Sequence, residues 1–213
     1  WYIPVRHRED GAAANVPPRL VGEMITAIQE GGAKAVFHNA KFDTKFLDHD
    51  PAGKAGDWDD TTGWEDTLIL AYLRNTRDRR KGLKTLSKRE LEREMIELEE
   101  LFPPEAVKAK KLDFSTLDPT WDPVVWYAAA DAVNTLALFN ILHPQVVEKD
   151  EHGRHQQGIY RLEKACLRAT QWMEDCRIPI NRKRLEGLIR LGQQEWWDCL
   201  KDVYSEANGM LGR

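Results

Sequence analysis

The chain has 213 residues, of which 42% are hydrophobic and 31% charged, and its formal net charge is −4. This length suits one domain of about 150 residues with part of another, and the composition is that of an ordinary globular protein. No run approaches about 18 consecutive apolar residues, so we expect no membrane span. The three cysteines lack zinc spacing, which suggests a reducing compartment.

Charge is uneven along the chain, although its overall value gives no signature of a nucleic-acid-binding protein. Residues 74–93 hold nine Lys or Arg against three Asp or Glu. Such a run is either a solvated helix face or a surface that follows the phosphates of a nucleic acid.

The first fifty residues read as a strand, a helix, a second strand and a second helix. Residues 2–5 resemble the end of a strand, and the amphipathic helix that follows ends at Gly31–Gly32. Residues 35–37 are a short apolar run that indicates a buried strand. A helix then begins near Lys41, and residues 50–63, rich in Gly, Asp and Thr, are predicted to form a loop.

The middle of the chain is predicted to be mainly helical. Residues 67–73 indicate one helix, and residues 83 to about 101 indicate one or two helices with strong charge patterning. The pair Pro103–Pro104 should break them. Pro123 suits the first turn of a long helix that runs to about Leu142.

Residues 148–157 form a polar stretch that we predict to be a linker between domains. Two more helices, at roughly 158–175 and 181–207, follow it. The chain is therefore predicted to contain an α/β domain over residues 1–147 and an all-helical segment over residues 158–213.

Asp43 lies at the exit of a predicted strand into a helix, in the sequence His-Asn-Ala-Lys-Phe-Asp. Proteins of the α/β class place their sites at this rim of the sheet. By itself the position has a second explanation, because an acid in the first turn of a helix is favoured by the helix dipole.

Tyr127 and Asp131 lie four residues apart on the long predicted helix, so the phenol and the carboxylate share a face. A carboxylate there could hold a divalent cation, and a phenol could orient a water molecule. The alternative is a buried tyrosine beside a hydrogen-bonded aspartate on an alanine-rich core helix.

Taken together, these motifs resemble the DEDDy family of 3′–5′ exonucleases. Residues 38–43 resemble its second motif, Asn-x-x-(Phe/Tyr)-Asp, and residues 127–131 resemble its third, Tyr-x-x-x-Asp. Residues 65–68 and 82–86 resemble the family's Asp-Thr and Gly-Leu-(Lys/Asp)-x-Leu helix starts. The resemblance implies a ribonuclease H-like mixed sheet flanked by helices, incomplete at the N-terminus, over residues 1–147.

Two further features resemble family A, polymerase I-like DNA polymerases. Thr135 follows Asp131 by four residues, and residues 158–185 resemble the opening of the polymerase (thumb) domain. Arg177 and Asn181 depart from the usual Gly and Asp of that opening. The resemblance implies a proofreading exonuclease followed by a truncated polymerase domain, acting on single-stranded 3′ ends and primer–template DNA.

The DEDDy resemblance also implies hydrolysis of phosphodiesters with two Mg²⁺ ions, for which Mn²⁺ is a substitute. Asp131 would be a direct metal ligand, and Asp43 would hold the second metal through water. Tyr127 would orient the attacking water, Asn39 would hold the loop or the substrate end, and Phe114 would stack on the terminal base. A core packing role for Phe114 remains open.

The first DEDDy motif, Asp-x-Glu, is absent from the 213 residues. We expect it upstream of Trp1, and we expect the chain as given to be nearly inactive without it. Two other functions remain open: a ribonuclease D-like RNA-processing exonuclease, and a vestigial exonuclease fold that only positions DNA. The polymerase context implies a cytoplasmic monomer of bacterial or viral origin, not bound to membranes.

Overall fold

The computed structural model describes residues 2–49, 53–149 and 152–211. Within these ranges the chain is mostly helical, and short 3₁₀ turns lie at 9–14, 98–101 and 114–116. The α-helices are α1 (Pro18–Glu30), α2 (Ala40–Asp48), α3 (Thr67–Arg74), α4 (Leu83–Leu91), α5 (Pro104–Lys108), α6 (Asp122–Val147), α7 (Gln157–Cys176) and α8 (Arg182–Leu211).

Two short strands form the sheet of the described chain, β1 (Ala35–Phe37) and β2 (Trp64–Asp66). They pair in parallel, with Ala35 opposite Trp64 and Phe37 opposite Asp66. The predicted α/β class and the strand at 35–37 are thus confirmed. In the described residues, however, the sheet is purely parallel and not mixed.

Residues 2–5 were expected to form a strand, and this prediction is wrong. They belong to no strand. Pro4 has no N–H to give to a ladder, and its carbonyl instead accepts the N–H of Val16 at 2.7 Å. The segment is therefore hydrogen-bonded to the chain just before α1 and not to the sheet.

The helical prediction for residues 83–101 is also corrected. Helix α4 ends at Leu91 because Glu92 takes a left-handed conformation, with φ of 55°. Residues 92–97 are irregular. Pro104, expected to break a helix, instead lies in the first turn of α5, where a proline is well tolerated. Part of the loop predicted at 50–63 falls at residues 50–52, outside the described residues.

Helix α6 is the centre of the fold, because it packs against α3, α4 and β1. The main core cluster is apolar and almost fully buried, and consists of Leu70, Ala71, Leu73, Leu86, Leu138, Leu142, Val146 and Tyr160. A second cluster, Ala40, Trp58 and Trp64, lies beside the sheet. Pro123 starts α6 as predicted, but the helix continues beyond Leu142 to Val147, where Val146 packs into the core.

By length and composition alone, α6 could cross a membrane. The core helix of a water-soluble domain passes the same test. Here α6 carries Asp131, Asn134 and Thr135, and the last two are buried against the rest of the domain. Helix α6 packs on α3 and α4, while 22% of its most apolar window is buried inside the structure.

The chain divides into two compact units, Trp1–Trp172 and Met173–Arg213, so the boundary falls inside α7. The stretch predicted as a linker, 148–157, lies within the first unit, and its residues 150–151 are outside the described residues. In the second unit, the described side chains of α8 over 182–207 are exposed, apart from half-buried Leu200. The assignment of 158–213 to a polymerase domain stays a prediction.

Candidate exonuclease site

Asp43 lies in the first turn of α2, which begins directly after β1. Asn39 makes the turn between them in a left-handed conformation, with φ of 75°, which asparagine tolerates better than most residues. The half-buried Asp43 carboxyl has a pKa raised from 3.8 to about 6, first by burial and then by the charges of Asp66 and Asp131. Asp43 therefore faces other carboxylates in the interior of the domain.

Asp66 is fully buried and connects two helix starts. Its carboxylate accepts the N–H groups of Leu68 at 2.7 Å and Ile69 at 3.3 Å, which caps α3. The same carboxylate accepts the N–H of Ala40 at 2.8 Å and that of Asn39 at 3.3 Å. Asp66 thus fixes the start of the helix that carries Asp43.

Tyr127 and Asp131 lie on one face of α6, as their spacing predicted. The pKa of Asp131 is raised by burial, against the opposing charge of Lys84. The pKa of Tyr127 is raised by burial and by Asp131, again with Lys84 opposing. The charge of Asp131 is also the smallest of the causes that raise the pKa of Asp43, so the charges of the two predicted metal ligands, on α2 and α6, interact.

Phe114 and Asn39 occupy different parts of this site. The Phe114 ring lies 5.7 Å from the Tyr127 ring, centroid to centroid, and 5.7 Å from the ring of His7. Phe114 is half-buried, so a packing role and a wall for the substrate both remain compatible with its position. The contribution of Asn39 is its backbone, which forms the turn and donates to Asp66.

No separate role was predicted for His38. In the structure its ring is hydrogen-bonded to Thr67, which links the end of β1 to the start of α3. The hydroxyl of Thr67 donates to the carbonyl of Phe37 at 3.0 Å, so its oxygen accepts from His38 Nδ1 at 2.9 Å. Burial lowers the pKa of His38, so a neutral ring protonated at Nδ1 fits this arrangement. The only signal in the sequence was its place at the strand exit.

An open groove of about 640 Å³ runs beside Tyr127. One wall is α6, with Trp126 and Val133, and the other is the irregular segment 93–96. Trp126 is 66% exposed. Three other tryptophans are also mostly exposed: Trp172, Trp196 and Trp197.

Asp43 and Asp131 are the side chains that could hold a metal ion. Burial is the largest cause of the raised pKa of both carboxyls, and a divalent cation beside either one would offset the cost of its buried charge. In the described part of the chain, no three His, Cys, Asp or Glu side chains gather as a metal site. The donor set therefore fits part of a magnesium site.

Most of the chain matches a known protein family. A family model described as 3′–5′ exonuclease matches residues 14–147, which is 134 of the 213 residues. The match includes β1, β2 and α1–α6, and with them Asp43, Tyr127 and Asp131. A search of curated proteins gives no match. Because the family model covers more than half of the sequence, the chain belongs to the 3′–5′ exonuclease family.

Proposed function

We propose that this chain is the proofreading exonuclease part of a polymerase I-like DNA polymerase, and that it removes nucleotides from the 3′ end of DNA. One observation carries the proposal. The carboxylates of Asp43, on α2, and Asp131, on α6, interact electrostatically. Tyr127 stands one helical turn before Asp131. A nucleophilic water and a scissile phosphate need such a group of carboxylates and a phenol.

In this mechanism Asp131 would hold one divalent metal ion directly and Asp43 would hold the second through water. Bound metal ions would activate the attacking water and stabilise the leaving 3′ oxygen. The hydroxyl of Tyr127 orients that water. Its raised pKa keeps it protonated at neutral pH, so it can both donate and accept a hydrogen bond. Phe114 offers its ring to the terminal base, a contact that suits any base.

The DEDDy pattern contains two more carboxylates, in the order Asp-x-Glu, and the 213 residues contain no such tripeptide. The site in this chain is therefore partial. We propose that an Asp-x-Glu strand beside β1 would complete the metal set and extend the sheet into the mixed sheet of a ribonuclease H-like fold. Asp43 and Asp131 would remain the ligands contributed by the helices.

The polymerase context rests on the sequence of residues 158–185 and on the two long helices found there. Helices α7 and α8 span Gln157–Cys176 and Arg182–Leu211, close to the helices expected for the start of a thumb domain. On this proposal the protein is a monomer in a bacterial or viral replication setting, and its substrate is a single-stranded 3′ end next to a primer–template.

The test is digestion of a 5′-labelled single-stranded DNA and of an RNA of the same sequence by a version of the chain extended by an Asp-x-Glu strand, with Mg²⁺ and with EDTA. We expect Mg²⁺-dependent shortening from the 3′ end, faster on DNA. Asp131→Ala should abolish it, while Asp122→Ala, an exposed acid at the start of the same helix, should not. Activity of Asp131→Ala within about threefold of the parent would contradict the assignment, and preference for RNA would favour the ribonuclease D-like alternative.

A further inference from the structure

Lys84, on the first turn of α4, lies beside the proposed catalytic groups. Its ammonium is 5.4 Å from the centre of the Tyr127 ring. The ammonium donates to the carbonyl of Ile96 at 2.9 Å and pairs with Glu97. The positive charge of Lys84 also acts on Asp131. The cation therefore faces both residues of the Tyr-x-x-x-Asp motif.

The partner that Lys84 has in this structure is exchangeable. Glu97 is 58% exposed at its side chain, while Lys84 is only 31% exposed. An ion pair with one end in water contributes little to stability. An anion that approaches Tyr127 can therefore replace Glu97 at little cost, while the bond from Lys84 to the Ile96 carbonyl keeps the ammonium in place.

A phosphodiester brought to this site meets mainly negative charge. Asp43 and Asp131 are both close, and the charges of Glu97 and Glu99 also reach Tyr127. A metal ion offsets part of this charge, and a lysine at the rim is the natural protein group for the rest, because the ammonium binds phosphate as a compact point charge.

We propose that Lys84 is a substrate-contacting residue that releases Glu97 and binds a phosphate oxygen of the terminal nucleotides of the single strand. The inference rests on the proposed function. It assigns a substrate contact to Lys84 in particular, and not to the basic run at 74–93 as a whole. Lys88, one turn later on α4, is the contrast. It pairs with Glu94 at 2.7 Å, and both side chains are more than 70% exposed.

The experiment measures binding of a fluorescent single-stranded DNA with a free 3′ end to the full 213-residue chain, in EDTA, over a series of KCl concentrations. Lys84→Gln keeps a donor for the Ile96 carbonyl but removes the charge, and Lys84→Arg keeps the charge. We expect Lys84→Gln to bind about tenfold more weakly, and its slope of log K against log[salt] to fall by about 0.7. Lys84→Arg should restore most of both.

Two further variants test whether DNA replaces Glu97 as the partner of Lys84. Glu97→Gln, which removes the competing carboxylate, should bind DNA about threefold more tightly, and Lys88→Gln should leave the salt slope unchanged. The proposal is overturned if Lys84→Gln binds like the parent, if Lys84→Arg is as weak as Lys84→Gln, if Lys88→Gln loses as much slope, or if Glu97→Gln binds no more tightly. If the parent chain itself fails to bind single-stranded DNA, the proposed function fails as well.

Discussion

The hydroxyl of Tyr160 on α7 accepts the backbone N–H of Asp66 at 2.9 Å. The same hydroxyl donates to Glu65 at 2.9 Å. Lys164, one turn later, pairs with Glu65 at 3.0 Å and also donates to the carbonyl of Trp64. Every residue of β2 is thus bonded to α7. Asp66 also fixes the starts of α2 and α3, and Asp43 lies in the first turn of α2. The contacts from α7 to β2 therefore help to position Asp43.

Tyr160→Phe should destabilise the first unit. The change removes one hydroxyl and leaves the buried N–H of Asp66 without its acceptor, which costs about 1–3 kcal/mol. Urea unfolding of the variant and the parent measures the difference. Tyr204→Phe, at a 63% exposed tyrosine of α8, is the matched control and should change nothing. A loss below about 0.5 kcal/mol would show that water replaces the hydroxyl.

Tyr127→Phe tests whether the phenol takes part in the chemistry. The ring packing against Phe114 is kept and only the hydroxyl is lost, so we expect nearly unchanged stability. The digestion rate should fall by about 10²-fold, as for other positioned groups. Single-turnover digestion and thermal melting of the same variant decide the point. Lost stability with an unchanged rate would instead assign Tyr127 to the core.

Asp66→Ser separates the two helix starts that Asp66 holds. Serine is a good N-cap for α3, but its single oxygen cannot also accept the N–H of Ala40. We expect a loss of about 1–3 kcal/mol from the orphaned donors and slower digestion, because the start of α2 is no longer fixed. Asp113→Ser, at an exposed cap, is the control. A digestion rate equal to that of the parent in the folded variant would show that Asp43 needs no such support.

The site could be predicted from the sequence to the extent that it depends on local geometry. Tyr127 and Asp131 share a face because of helix periodicity, and Asp43 follows a strand that is three residues long but strongly apolar. The contacts of Tyr160 and Lys164 could not be predicted, since they join residues more than 90 positions apart that follow no periodic pattern. The assignment of residues 158–213 to a polymerase domain stays a prediction, and Tyr160 and Lys164 are buried in the first compact unit.

Asp43→Asn should make the protein more stable at neutral pH. The pKa of Asp43 is raised to about 6 in the folded chain from an ordinary 3.8, so between pH 4 and 6 the folded state binds a proton that the unfolded state lacks. The free energy of unfolding therefore falls as the pH rises across this window. Asparagine has no proton to lose, so the variant should gain about 2 kcal/mol over the parent at pH 7.

Melting curves from pH 4 to 8 test this sign. The difference between Asp43→Asn and the parent should vanish near pH 4 and grow until about pH 6. Added Mg²⁺ should narrow the difference at pH 7, because the cation stabilises only the parent carboxylate. If the difference in stability between the variant and the parent does not change with pH, the titration of Asp43 does not cause it, and this prediction is wrong.

The last prediction concerns how tightly the chain holds metal. Mg²⁺ prefers oxygen ligands, keeps several waters, and is often held by only one or two carboxylates together with substrate phosphates. The described residues bring together Asp43 and Asp131 but no group of three candidate ligands. We therefore expect weak binding, with a dissociation constant on the order of 1 mM or higher for Mg²⁺, and slow digestion by the 213 residues alone.

Isothermal titration with Mg²⁺ and Mn²⁺ measures the affinity. Asp131→Asn should remove the binding, while Asp198→Asn, at an exposed acid of α8, should preserve it. A chain extended by an Asp-x-Glu strand beside β1 should bind two ions and digest DNA at least about 10²-fold faster. Tight binding of two ions by the 213 residues, or equal digestion by both forms, would show that other residues complete the site.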